Sequence, residues 1–182
     1  MHEFFRRQLA LYASYHRDVR NGVTHMVGIP LIFLSVVIPL SLLSLTILGI
    51  RANAAVLLVI PALIVWLLLD AAIGLVTLAA VIALLAIAGL ITGMLGSFAI
   101  WYIAAALFVI GWALQIVGHA RFEHRKPALL DNPVHMLIGP MFIVAKLLVA
   151  LGFRRDLAAA MQPASQAADR IPRNPANAVR SP

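Results

Sequence analysis

Side chains that bind metals are concentrated in two short parts of this sequence. His119 and Glu123 follow one of its longest apolar stretches, and His135 lies shortly beyond them. His16 and His25 lie near the N-terminus, before the first long apolar stretch. Ionisable groups are costly to place at the edge of long apolar segments, so both clusters indicate a functional site.

The spacing within each cluster limits how its members can share a ligand. Residues four apart project from one face of a helix, so His119 and Glu123 suit two ligands of one cation, or a ligand and its support. His16 and His25 would lie on opposite faces of one straight helix. They share a site only if the chain bends between them, and Asn21-Gly22 is the expected bend.

Imidazole and carboxylate groups in a sequence without cysteine favour iron, manganese or zinc over copper(I) or an iron–sulfur cluster. Two or three histidines with one carboxylate are typical of non-haem iron oxygenases. The same groups suit a catalytic zinc hydrolase. In a scaffold or transporter they would form a proton relay or contact lipid headgroups, with Glu123 paired to Arg20 or Lys126. No short motif of fixed ligand geometry, such as HExxH, decides between these alternatives.

Other polar and aromatic residues near the clusters are predicted to be structural. His124 is rotated away from the face that carries His119, and Asp70 is expected to cap a turn between two apolar stretches. Tryptophans such as Trp112 are expected to serve helix packing or interfacial belts rather than a cofactor site.

The composition indicates a polytopic membrane protein. Hydrophobic residues make up 63% of the chain and charged residues only 12%, too few to cover a soluble globule. The net charge is +7, but the basic residues flank the apolar stretches, so no nucleic-acid partner is expected. The expected partner is the lipid bilayer.

Four apolar stretches are long enough to be membrane spans. They are residues 26–50, 54–69, 73–92 and 98–117, and Arg51-Ala52-Asn53 is predicted as a short turn. A fifth stretch, 134–151, is interrupted by Pro140 and Lys146 and is predicted to be an interfacial or re-entrant helix. Residues 1–13 are predicted to form an amphipathic interfacial helix.

The predicted fold class is an all-α, polytopic transmembrane helical bundle of four spans plus this fifth helix. Residues 1–155 would form a single integral-membrane domain, and residues 156–182 a disordered C-terminal tail. Four spans return both ends of the bundle to one face, where most basic residues lie. The positive-inside rule makes that face, with both termini and the histidines, cytoplasmic. The Ala-rich composition with more Arg than Lys favours a bacterial inner membrane.

The order and spacing of these residues resemble one known family. The motifs are Tyr12-x3-His16-x4-Asn21-x3-His25-x2-Gly28-Ile29-Pro30, Asp70 at the second turn, Trp112-x2-Gln115-x2-Gly118-His119-x3-Glu123-x3-Pro127-Ala128-Leu129, and Pro140-x-Phe142. Over residues 5–153 the chain resembles the fungal 2-hydroxy fatty acid dioxygenase family, which has many bacterial members.

The resemblance implies an iron(II)-dependent membrane enzyme of lipid α-oxidation with dioxygen as co-substrate. Such an enzyme converts a long-chain 2-hydroxy fatty acid to a fatty acid one carbon shorter and releases carbon dioxide. Carried over by position, the metal ligand candidates are His16, His25 and His119, with Glu123 as ligand or support and His135 as a further candidate.

The substrate implied by the resemblance carries a carboxylate, which guanidinium groups bind well. The candidates are Arg17, Arg20, Arg121 and Arg125, together with Lys126, while the acyl chain would lie among the apolar helices. One departure from the family pattern is Lys146, where an acidic residue is expected. It predicts a difference in substrate or activity.

Overall fold

The computed structural model describes residues 1–162, most of which are helical. In chain order the helices are α1 Glu3–Ser14, α2 Val19–Leu40, α3 Ala54–Leu69, α4 Ala71–Met94, α5 Ser97–Val117, α6 His135–Ala150 and α7 Arg155–Ala160. A π-helical turn, Gly118–Glu123, continues α5, and a 3-10 turn, Ala128–Leu130, precedes α6. Two strands, β1 Ser44–Ile47 and β2 Ile50–Asn53, pair antiparallel.

Within residues 1–162, three helices are long and apolar enough to cross a membrane: α2, α4, and α5 with its π-helical continuation. α3 and α6 are apolar but have only 16 residues each. At 1.5 Å per residue they would cover about 24 Å of a hydrocarbon core of about 30 Å. The helical membrane bundle therefore agrees with the sequence, whereas the predicted count of four spans is not confirmed.

The region between α2 and α3 differs from the prediction. Instead of one span over 26–50, α2 runs from Val19 to Leu40, and a β-hairpin replaces the predicted turn, so the fold is not purely α-helical. The hairpin turns at Leu48-Gly49, where both residues have positive φ, as a two-residue hairpin turn requires. Hydropathy failed here because an uncharged apolar segment can form either a strand or a helix.

Close packing between α2 and α5 positions the start of α2 against the π-helical turn. A Cβ on Gly28 would lie 3.0 Å from the Gly111 carbonyl oxygen, and a Cβ on Gly118 would collide with Thr24 and Asn21. Only glycine allows these two helices to approach so closely. The approach brings both histidine-bearing segments into contact.

α1 packs on the protein through its apolar face. Phe5, Leu9 and Tyr12 are buried and the helix contacts α6, whereas Phe4 is exposed. α6 is also well buried, through residues such as Ile138, Met141 and Phe142. Its predicted interfacial or re-entrant position relative to a membrane stays a prediction.

Asp70 ends α3 and caps α4, as its position between two apolar stretches predicted. It accepts a hydrogen bond from the Ile73 amide at 3.1 Å and two from the Arg154 guanidinium at 3.0 and 2.9 Å. The N-terminal amine of Met1 lies 3.6 Å away. These contacts join three distant parts of the chain, here called the Asp70 cluster.

The predicted C-terminal tail, residues 156–182, begins inside a helix. α7 covers Arg155–Ala160, and its Leu157 is fully buried, so ordered structure continues past the predicted boundary at residue 155. The rest of that prediction, from residue 163 onwards, lies outside the described residues.

Candidate metal centre

Three histidines from three separate segments converge in the interior. His16 lies in the connection between α1 and α2, His25 lies within α2, and His119 lies in the π-helical turn. One ligand nitrogen from each lies within 4.8 Å of the others, and each residue is at most 3% exposed. The structure thus brings together two histidine clusters that are far apart in sequence. We call these three residues the histidine triad.

The chain does bend between His16 and His25, but not at Asn21-Gly22. α1 ends at Ser14, and α2 begins at Val19 with Asp18 as its N-cap, so the bend lies at residues 15–18. Asn21 and Gly22 are helical. The sequence favoured the wrong place because Asp18 gives an N-terminal helix signal as strong as the turn signal of Asn-Gly.

Backbone carbonyls fix the orientation of two of the rings. His16 Nδ1 lies 2.8 Å from the Tyr12 carbonyl oxygen, and His25 Nδ1 lies 2.9 Å from that of Asn21. A carbonyl oxygen only accepts, so Nδ1 donates in both rings and each Nε2 keeps its lone pair. This is the arrangement that usually orients metal-binding histidines.

Two of the remaining ring nitrogens are buried without hydrogen bonds. Within residues 1–162, His16 Nε2 and His119 Nδ1 are buried and have no partner. Burial, reinforced by the neighbouring His25, lowers the pKa of His16 to about 2, so this imidazole is neutral. Buried polar atoms without partners are rare, and neutral imidazole is the form that binds a metal.

The donor set fits a metal ion. Three neutral imidazoles and no thiolate suit iron(II), manganese or zinc. Three protein ligands also leave positions for other molecules, which is typical of catalytic rather than structural sites. The rings meet edge to face with centroids 4.4 to 4.9 Å apart.

Glu123 lies outside the triad and supports its surroundings. Its Oε1 accepts hydrogen bonds from the Asp18 amide at 2.9 Å and from Asn21 Nδ2 at 3.2 Å. Asn21 in turn provides the carbonyl that orients His25. Glu123 therefore acts on the triad through Asn21. The helix that carries it is π-helical rather than α-helical, a form often found at functional sites.

His135 also lies outside the triad, and Tyr12 lies between them. The Tyr12 ring stacks on His16 at 4.2 Å and meets His135 edge to face at 5.3 Å. His135 Nδ1 lies 3.1 Å from the Ala128 carbonyl oxygen, and its Nε2 is buried without a partner in the described part of the chain. His124 is exposed at the end of the π-helical turn, as predicted.

Two cavities adjoin the triad. The first, here called the inner cavity, has a volume of about 130 Å³ and is lined by His25, His119 and His135 among mostly apolar side chains. Trp112 and Gln115 also line it, and Trp112 Nε1 and Gln115 Nε2 are buried donors without partners in residues 1–162.

The second cavity, here called the outer groove, has a volume of about 710 Å³. His16, Arg17 and Lys146 line it, together with apolar side chains that include Val23 and Leu147. The triad is therefore adjoined by one small, mostly apolar cavity and by one larger groove that carries positive charge.

Of the four arginines considered for the substrate carboxylate, Arg17 lines the outer groove. Arg20 makes two side-chain hydrogen bonds with Asp18 and lies over the Phe122 ring. Arg125 lies over the Tyr15 ring and donates to the Ser14 carbonyl, and Arg121 is exposed. Sequence shows that these side chains are charged, but not which partners already engage them.

The sequence did not reveal the roles of several residues near the triad. Tyr12 and Asn21 each lie four residues before a triad histidine and provide the carbonyl that its ring contacts. Their i, i+4 spacing was visible within the family motif. Lys146 was noted as an interruption of the fifth apolar stretch and as a departure from that motif, but not as a neighbour of the triad.

Comparison with known proteins gives a consistent result. Residues 2–151 match the family described as 2-hydroxy-palmitic acid dioxygenase Mpo1-like. The chain is 49% identical over 57 residues to 2-hydroxy-palmitic acid dioxygenase MPO1 of Saccharomyces cerevisiae. That alignment covers 31% of this chain and 33% of the yeast protein. No solved structure is significantly similar.

Proposed function

Because this chain belongs to the 2-hydroxy-palmitic acid dioxygenase Mpo1-like family, which confirms the resemblance of its motifs, we propose that it is a membrane dioxygenase acting on 2-hydroxy fatty acids. One molecule of the 2-hydroxy acid and one of dioxygen would give a fatty acid one carbon shorter, carbon dioxide and water. These products account for every atom of the reactants.

The observation that carries this proposal is the convergence of His16, His25 and His119 within 4.8 Å. In the proposal these three residues hold iron(II), with Glu123 as a support and His135 as a neighbour rather than a ligand. Bound iron(II) would supply the electron-transfer chemistry that allows dioxygen to react with the substrate. The chain itself keeps the three imidazoles buried and orients two of them, those of His16 and His25, which reduces the reorganisation needed when the metal binds.

The two cavities suit the two reactants. The inner cavity is mostly apolar and of a size for a small molecule such as dioxygen. The outer groove lies within the volume range of sites for larger ligands, and His16 of the triad lines it. The triad lies where these two spaces meet, which favours a reaction between their occupants.

The basic residues support an orientation for the site. Arg6, Arg7, Arg17 and Arg20 lie on the segments that lead to the triad, whereas Arg51 lies in the hairpin beyond α2. By the positive-inside rule, the triad and its two cavities belong at the cytoplasmic face, in keeping with a bacterial inner membrane.

Metal analysis combined with oxygen dependence tests this function. Protein purified in detergent without chelators should contain close to one iron per chain and should consume 2-hydroxypalmitic acid only in the presence of dioxygen. His119→Ala should lose most of the iron and the activity. His124→Ala is the matched control, because this nearby histidine is exposed and lies outside the triad.

Other outcomes would exclude the proposal. Stoichiometric zinc with lipid turnover under anaerobic conditions would indicate a hydrolase instead. Folded wild-type protein without metal, or metal content that is unchanged in His119→Ala, would favour a non-catalytic scaffold or transporter.

A further inference from the structure

Lys146 places an ammonium group beside the histidine triad. It is half-buried on α6, and its Nζ lies 5.1 Å from the centre of the Phe142 ring. On the other side a Cβ added to Gly22 would lie only 2.8 Å from Nζ. The ammonium therefore fills a space beside α2 that is open because Gly22 has no side chain. The Phe142 ring, over which this ammonium lies, also contacts His16.

This cation has no counter-ion in the part of the chain that the structure describes. No carboxylate in residues 1–162 lies within ion-pair distance of Nζ, whereas Lys126 is paired with Asp131 and Arg154 with Asp70. Burial lowers the pKa of Lys146, and Glu123 opposes this effect only in part. A partly buried charge without a partner is costly, and it is expected where a ligand provides the partner.

The lining of the outer groove indicates which ligand. Lys146 and Arg17 both line it, and Arg17 likewise has no ion-pair partner in the described residues. Apolar side chains from α2 and α6 line it as well, among them Val23, Met26 and Leu147. Positive charge combined with apolar walls complements an anionic amphiphile, that is, a molecule with an acidic head and a long alkyl chain.

We propose that Lys146, assisted by Arg17, binds the free carboxylate of a long-chain acid in the outer groove and thereby selects free acids over esters and thioesters. That the acid is a 2-hydroxy fatty acid rests on the proposed function. A carboxylate bound at Lys146 would lie in the groove that His16 also lines, with the α-carbon directly attached to it. Lys146 is thus a specificity-determining residue that the sequence marks only as a departure from the family pattern.

Binding of a matched pair of ligands tests this assignment. The probes are 2-hydroxypalmitic acid and its methyl ester, measured by equilibrium dialysis with the full-length protein under anaerobic conditions, so that no turnover occurs. Lys146→Met keeps the length and apolar contacts of the side chain but removes its charge. It should weaken binding of the acid by about 10- to 100-fold, the range for one charge-assisted hydrogen bond, and leave the ester unchanged.

Two further variants complete the series. Lys146→Arg retains the charge and should recover most of the affinity for the acid. Arg51→Met removes a positive charge from the exposed hairpin, away from the groove, and should affect neither probe. In aerobic assays Lys146→Met should raise KM for the acid more than it lowers kcat.

Three results would overturn the assignment. Equal weakening of acid and ester would assign Lys146 a purely structural role, and unchanged binding of both would leave it no role in recognition. Acid-selective weakening in Gln115→Leu but not in Lys146→Met would move the carboxylate to the inner cavity.

The series also separates this inference from the proposed function. Acid-selective binding that depends on Lys146, in a protein that does not oxidise the acid in air, would refute the function and retain the carboxylate site. Oxidation of the acid in air by Lys146→Met, with an unchanged KM, would refute the carboxylate site and retain the proposed function.

Discussion

The histidine triad and the Asp70 cluster are both buried and polar, yet they differ in how their hydrogen-bonding capacity is used. At Asp70 the carboxylate is engaged by Ile73, Arg154 and the N-terminal amine. In the triad, buried ring nitrogens face one another without partners in the described residues.

The contrast separates a structural role from a binding role. A buried group that is fully paired by its own chain holds that chain together, whereas unpaired groups that converge provide a site for something else. Both Asp70 and the histidines belong to the family motif, and only the position of Asp70 between two apolar stretches favoured a structural role for it in the sequence. Substitutions in each region should therefore affect different measurable properties.

The largest effect is expected when a triad nitrogen is removed. In His25→Asn the amide group can still donate to the Asn21 carbonyl, but the Nε2 ligand is lost. Metal affinity should fall by more than about 100-fold, because loss of a ligand exceeds the 10- to 100-fold cost of altering its supporting residues. Thermal unfolding of the metal-free protein should be nearly unchanged. A large loss of stability with full metal content would contradict the contrast between the two regions.

The next largest effect is expected in the Asp70 cluster, on stability rather than on metal binding. Asn is as good an N-cap as Asp, so Asp70→Asn removes the ion pairs but keeps the cap of α4. Burial opposes ionisation of Asp70, but the hydrogen bonds from Arg154 outweigh it and hold the pKa at about 2, below the ordinary 3.8. The side chain is only 3% exposed, so this shift corresponds to roughly 2 kcal/mol of stability.

The sign of the pH dependence follows from the lowered pKa. The contribution of Asp70 is fully present above about pH 4 and is lost as the pH falls through about 2, because the unfolded chain takes up the proton first. Unfolding in detergent should therefore show a difference between wild type and Asp70→Asn at pH 7 that shrinks towards pH 2. Metal content per folded chain should be equal in both proteins. If Asp70→Asn lost metal as His25→Asn does, the Asp70 cluster would belong to the site.

The smallest effect is expected at Glu123, whose hydrogen bond reaches the triad through Asn21. Glu123→Gln removes the charge but leaves an oxygen that can accept from the Asp18 amide. Metal affinity should fall by about 10-fold, the lower end of the range for supporting residues. A loss as large as that of His25→Asn would instead make Glu123 a direct ligand, which competition with a graded chelator can distinguish.

Much of the helical framework could be predicted from hydropathy. Uncharged apolar stretches located α3, α4 and α5 to within a few residues, because long apolar helices have a strong and simple signal. The hairpin at 44–53 was missed, since its first strand lies in the uncharged apolar stretch that begins in α2. The early start of α2 at Val19 was missed because polar residues such as Asn21 and Thr24 face the protein interior there and not lipid.

The residues of the candidate site could be predicted better than their arrangement. Motif spacing named all three triad histidines, but it could not place Glu123 on the Asp18 amide or assign Arg20 to Asp18. Those pairings depend on the approach of α2 and the π-helical turn at Gly118, which is a tertiary contact. The ammonium of Lys146 enters the outer groove for the same reason, because Gly22 on α2 leaves it space.

The π-helical turn Gly118–Glu123 makes this part of the chain sensitive to its length. Its i→i+5 hydrogen bonds accommodate one residue more than a regular α-helical turn does. Deletion of a single residue between His119 and Glu123 would let α5 continue as an ordinary helix, and it would also rotate everything beyond the deletion by about 100°. Glu123 would then leave the Asp18 amide. Insertions and deletions, which loops elsewhere absorb, should therefore be excluded from these six residues in related sequences.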